Sequence, residues 1–134
     1  MPATIASVGL YAALNMLILF WFVGAISRLR SRGRIWIGDG GDAALARAMR
    51  GHANAAENMP IMLVMLLVAA LLGAPAMAIH TLGIVFTLGR ALHALHFVQA
   101  RAPQWQRGAG FTLSFLAQLI AAIGLIGHAL RLIG

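Results

Sequence analysis

Arg50, Asn54 and Glu57 are spaced by four and three residues, so on a helix they share one face. Arg47 extends that face by a turn. Arg90, His93, Phe97 and Arg101, spaced by three, four and four, form a second stripe. If the two stripes face each other, Glu57 pairs with an arginine and positive charge is left over. That surplus suits an anionic ligand, because the planar guanidinium donates two parallel hydrogen bonds to a carboxylate. The alternative is a satisfied buried ion network that fixes helix register. Pro60, one turn after Glu57, removes a helical hydrogen bond and crowds the carbonyl of Ala56, which predicts a kink below the stripe. His52 points to another face, about 200° from Arg50 at 100° per residue, and could reach a neighbouring subunit or the membrane interface.

Other polar residues read more plainly. His93 and His96 are three apart, but no third His, Cys or acid stands at ligand spacing, so no metal is expected. His80 and His128 read as packing or helix-end residues. Methionines such as Met59, Met62 and Met65 read as core and lipid-facing filler. Asp39-Gly40-Gly41-Asp42 is a loop, with Asp42 as N-cap of the next helix. Arg28, Arg30, Arg32 and Arg34 read first as a positive-inside stop with lipid-headgroup contact, though one could lend its charge to a site. There is no cysteine and no lysine, and Tyr11 is the one tyrosine. Thiol, disulfide and amine chemistry by the protein is excluded. An enzyme built here needs a substrate that brings its own nucleophile, stabilised by protein charge.

The elements that position these residues follow from composition. The chain has 134 residues, of which 61 % are hydrophobic and 10 % charged. A soluble domain of this size could not bury that much apolar surface, so lipid is the solvent. The net charge of +7 comes from ten arginines against Asp39, Asp42 and Glu57. It reports loops beside a membrane rather than a nucleic-acid partner. Residues 1–27, 58–89 and 108–130 carry no charge. A helical span takes about 20 apolar residues, so the first and last runs each supply one. The run beginning at Met1 lacks a basic start and is too long for a cleaved signal peptide, so it is expected to stay as the first helix. Gly73-Ala74-Pro75 breaks the middle run into two helices. The expectation is a single all-α domain over 1–134, an integral membrane four-helix bundle of up-down topology. Its helices run roughly over 2–28, 42–73, 75–99 and 107–132. Arginines crowd the first loop and recur in the third (Arg101, Arg107), while the second has none. By the positive-inside rule the first and third loops are cytoplasmic and both termini lie on the far side. Trp36 and Trp105 suit the interfacial aromatic belt.

The segment Arg50-Gly51-His52-Ala53-Asn54-Ala55-Ala56-Glu57-Asn58-Met59-Pro60 resembles the second-helix signature of the MAPEG family, the membrane-associated proteins of eicosanoid and glutathione metabolism. The pattern Arg-x3-Asn-x2-Glu-x2-Pro is matched in full. Asp39-Gly40-Gly41 and Gly89-Arg90-Ala91-Leu92-His93 are similar to its bacterial branch, and the resemblance covers essentially the whole chain. It implies a homotrimer in a bacterial inner membrane, with glutathione as co-substrate bound between subunits near the cytoplasmic side. The activity implied is a transferase or peroxidase acting on hydrophobic electrophiles, and the alternative is a non-catalytic scaffold with a binding or structural role. Carried over by position, Arg50, Asn54 and Glu57 look like glutathione contacts from one subunit. His52 and a first-loop arginine (Arg30, or else Arg28 or Arg34) look like contacts from its neighbour. Arg90, His93 and Phe97 of the third helix join the same expected site. The thiolate-activating arginine is matched by Arg107, with Arg101 as the fallback. One position departs: Phe97 stands where many members carry tyrosine, which removes a hydroxyl from the site. A third reading, a small multidrug exporter with Glu57 as a proton-coupled acid, fits poorly, since such exporters carry the acid in the first helix.

Overall fold

The helix boundaries of the protein are set by a few stop and start residues, seen in a computed structural model that describes residues 2–134. Met1, the first residue of the leading charge-free run, lies outside them. The elements are α1 (Pro2–Gly33), α2 (Ala43–Leu71), α3 (Ala76–Val98) and α4 (Gln104–Ile133). Helix α1 continues through the arginines to Gly33 rather than stopping near residue 28, since arginine is a good helix former. It ends when Arg34 takes a left-handed conformation (φ 52°) and the Ile35 N–H donates back to the Arg30 carbonyl at 3.0 Å. Asp42 caps α2, accepting from the backbone N–H groups of Ala44 and Leu45 at 2.8 and 3.0 Å. Helix α2 runs through Pro60 without interruption. Gly73, at φ 86°, makes the turn into Pro75 and α3. Helix α4 begins at Gln104, three residues earlier than expected, because the extended Pro103 (φ −65°, ψ 139°) opens it directly.

All four helices are long and apolar enough to cross a membrane. Helices α2 and α3 are central. Helix α1 packs on both, α4 packs closely on α3 and loosely on α2, and among the described residues α1 and α4 do not touch. The core is formed by Phe22, Met59, Met62, Leu66, Ile79 and Phe86. Leu17, Phe20, Ile123 and Ile126 stand exposed on the outer faces of α1 and α4, where lipid covers them. The α3–α4 approach depends on small residues. A Cβ on Gly110 would lie 2.6 Å from the His93 backbone nitrogen and 2.8 Å from the Gly89 carbonyl oxygen. The α1–α3 seam carries polar side chains instead. The Tyr11 hydroxyl lies 2.8 Å from His80 Nδ1, Ser7 Oγ lies 3.0 Å from His80 Nε2, and Asn15 donates to Thr87 Oγ1 at 2.9 Å. His128 Nε2 lies 2.7 Å from the Leu72 carbonyl oxygen and ties α4 to the end of α2.

Candidate functional site

Loose packing of α4 against α2 leaves a cleft between them, floored by α3. At the end carrying the arginine-rich loops it widens to a cavity of about 490 Å³, lined by Arg50, Asn54, His93, Phe97, Gln104, Arg107, Gly108 and Phe111. A smaller pocket of about 30 Å³ shares Asn54 and Phe111 with it and adds Asn58, Arg90, Phe115 and Gln118. Gln118 donates across the cleft to the Asn58 carbonyl at 3.3 Å. The opposite end holds a separate, almost wholly apolar cavity of about 240 Å³.

Arg90 is the central finding. It is 3 % exposed, and its partners are neutral: Nε donates to Ser114 Oγ at 2.8 Å and Nη1 to Asn54 Oδ1 at 2.9 Å. The Ser114 hydroxyl in turn donates to the Gly110 carbonyl at 2.6 Å. Removing an ion from water is costly unless an opposite charge repays it, and no carboxylate lines either pocket. Arg50, Arg90 and Arg107 therefore bias the cleft toward an anion. The wall is aromatic. The His93 ring centre lies 4.8 Å from that of Phe97, and the Arg107 guanidinium sits 5.9 Å from the centre of the Phe97 ring. Phe97 thus offers a flat platform and no hydroxyl.

The expected residues divide into two groups. Arg50, Asn54, His93, Phe97 and Arg107 come together around the cavity, and Arg90 stands behind Asn54. Glu57 does not meet the third-helix stripe. It is exposed on α2 rather than turned into the bundle, and the polar partner of Arg90 is Asn54 in its place. The reason is angular: Glu57 lies three residues after Asn54, enough to turn it off the inward face. Arg47 also leaves the stripe and donates to the His96 and Ala100 carbonyls at 2.7 and 3.2 Å, closing the end of α3. His52 packs edge-on against Phe22 of α1, ring centres 6.2 Å apart. Arg30 lies at the end of α1, donating to the Ile35 carbonyl at 3.3 Å, away from the cavity of its own chain. Arg101 is exposed in the α3–α4 loop and does not line the cavity, whereas Arg107 does. Among the described residues no group of three or more His, Cys, Asp or Glu could hold a metal ion.

Apart from Arg107, the α4 contribution was missed by sequence reasoning. Gln104, Arg107, Phe111, Ser114 and Gln118 follow one another at intervals of three, four, three and four, a helical stripe that lines the cleft and, at Ser114, bonds to Arg90 behind it. The signal was present, but only Arg107 carries a charge, and phenylalanine, serine and glutamine in an apolar helix attract less attention.

Comparison with known proteins gives the family. The MAPEG family model matches residues 8–127. The chain is 37 % identical over 114 residues to the inner membrane protein YecN of Escherichia coli strain K12, covering 85 % of this chain and 86 % of that protein. The YecN of E. coli O6:H1 strain CFT073 is similar to the same extent. No solved structure matches. A family match over most of the length, carried by a relative of this identity and by four helices of spanning length, means that the chain belongs to the MAPEG family of membrane proteins.

Proposed function

We propose that the protein is an inner-membrane, glutathione-dependent transferase or peroxidase acting on hydrophobic electrophiles. The observation that carries this reading is the cleft: Arg50 and Arg107, with no carboxylate, line a cavity of about 490 Å³ that opens between two membrane helices, and Arg90 lines the smaller pocket beside it. A cavity of that size suits a small anionic tripeptide. In this account Arg50 and Asn54 hold a glutathione carboxylate at the mouth, and Arg90 fixes Asn54 from behind. Arg107 sits beside the sulfur and favours the thiolate over the thiol. The thiolate then attacks an electrophilic carbon, forms the C–S bond and expels the leaving group, or attacks a peroxide oxygen, breaking the O–O bond, releasing the alkoxide as alcohol and leaving a glutathione sulfenic acid that a second glutathione converts to the disulfide and water. The electrophile arrives through lipid, along the apolar faces of α4. Glu57 joins Arg50 and Asn54 from the same subunit, and His52 and a first-loop arginine complete the site from a neighbouring copy in a homotrimer. The arginine-rich loops face the cytoplasm.

Turnover of a generic aromatic chloride electrophile with glutathione tests the reading. Arg107→Ala is expected to lower turnover by on the order of a hundredfold, the scale of one lost transition-state charge contact, while glutathione binding changes little. Equal losses in both, or none in either, would reject the role of Arg107. Phe97 favours a second reading, a scaffold that binds without catalysis, since the cavity wall presents no hydroxyl there. On that reading the wild type binds glutathione and turns nothing over.

A further inference from the structure

The last turn of α1 carries a second basic site, separate from the cleft. Ser27, Arg30, Ser31 and Arg34 occur at helical spacing on one face, and with Ile35 and Trp36 they line a cavity of about 400 Å³. Arg34 is the one described residue other than glycine with positive φ, at 52°. A left-handed conformation costs a non-glycine residue roughly 1–2 kcal/mol, and glycine is the usual occupant of this helix-ending position. An arginine kept there at that cost points to its side chain. Arg30 fixes the turn, accepting from the Ile35 N–H through its carbonyl and donating to the Ile35 carbonyl and to Met49 Sδ. The acids nearby are used by the loop: Asp39 accepts from the Gly41 N–H at 3.0 Å, and Asp42 caps α2. Among the described residues no side chain bonds to the Arg34 guanidinium, so its charge is free for an outside anion.

Position selects the anion. Helix α1 has 32 residues, which at about 1.5 Å each is about 48 Å, beyond the roughly 30 Å hydrocarbon layer. Its arginine-bearing end therefore lies among lipid headgroups. Trp36 and Ile37 follow at once and are 90 % and 91 % exposed, apolar side chains at the depth where glycerol and upper acyl chains lie. We infer that Ser27, Ser31 and Arg34, with Arg30 as the fixed wall, form a binding site for the phosphate of an anionic phospholipid, whose glycerol and acyl region packs on Trp36 and Ile37.

The test is the unfolding temperature of the purified protein in neutral detergent, titrated with short-chain phosphatidylglycerol, phosphatidylcholine, inorganic phosphate and glutathione. Three chains are compared: wild type, Arg34→Gly, and a double variant with Arg28→Gln and Arg32→Gln. That double variant removes more charge but none from the cavity. Phosphatidylglycerol is expected to protect the wild type saturably and phosphatidylcholine is not. Arg34→Gly is expected to be at least as stable as wild type, because glycine relieves the strain, yet to need about tenfold or more phosphatidylglycerol, the loss expected for a hydrogen bond to a charged group. The double variant is expected to keep the wild-type response. Equal protection by the zwitterionic lipid, full protection by inorganic phosphate, or a double variant as impaired as Arg34→Gly would each overturn the site. So would an Arg34-dependent response to glutathione instead of lipid. An Arg34→Gly chain less stable than wild type would remove the strain on which the assignment rests and overturn it too.

Discussion

Arg90 concentrates the physical tension of the molecule at a single residue. A guanidinium in the bundle interior is bonded to an amide oxygen and a hydroxyl and has no carboxylate to offset its desolvation. A residue kept for stability would not be built this way, because replacing a buried charge with an apolar side chain of similar length is often neutral or stabilising. Arg90→Met is therefore expected to leave the unfolding temperature of the ligand-free protein unchanged or raised, and to abolish anion binding in the cleft. A clear fall in unfolding temperature would mean that Arg90 serves the fold. Much at this scale was legible in the sequence. Asp42 announced itself as a cap by its place after two glycines, and Arg50, Asn54, His93, Phe97 and Arg107 were named from spacing or resemblance. What spacing could not supply was partner choice. Glu57 and Asn54 are both polar and three residues apart, and only the packed rotation of α2 decides that Asn54 turns inward to Arg90.

At the scale of elements, the site depends on how closely α3 and α4 approach. Gly89 and Gly110 bring the two backbones together, which lets Ser114 reach Arg90 and lays Arg107 over Phe97. Gly110→Val would drive side-chain carbons into the His93 backbone, and overpacking of this kind costs roughly 1–3 kcal/mol. The expected result is a lower unfolding temperature, together with weakened glutathione binding as α4 is pushed from α3. Normal stability would show that the helices can separate without consequence. The four helices could be read from charge-free runs and from Gly73 and Pro75. Their neighbours could not. Ser7, Tyr11 and His80 meet across about seventy residues of sequence, and nothing local marks them as partners. The α4 stripe was hidden for a different reason, since Gln104, Ser114 and Gln118 are uncharged and their alignment matters only once α4 is known to face the cleft.

For the whole molecule, one chain leaves part of the expected site uncovered. Glu57 and Arg50 are both exposed beside the cleft, in a chain whose surroundings there are hydrocarbon. A bare carboxylate at such a depth costs on the order of 2.5–3.5 kcal/mol. In the proposed homotrimer, a second copy covering this face of α2 would remove that cost and bring its own His52 face and loop arginines toward the cavity. Native mass spectrometry from mild detergent is expected to show three copies. A monomer that retains its helices would leave Glu57 facing lipid and contradict the shared site.

The central claim is that the arginine-lined cleft binds glutathione, and calorimetric titration of glutathione into the detergent-solubilised wild type tests it most directly, with Arg50→Ala and Glu57→Gln alongside. The account predicts saturable binding to the wild type, lost in Arg50→Ala at the cavity mouth and in Glu57→Gln on the face shared between copies. A well-folded wild-type protein that takes up no glutathione would contradict it and return the charged stripes to a structural role or to some other anion.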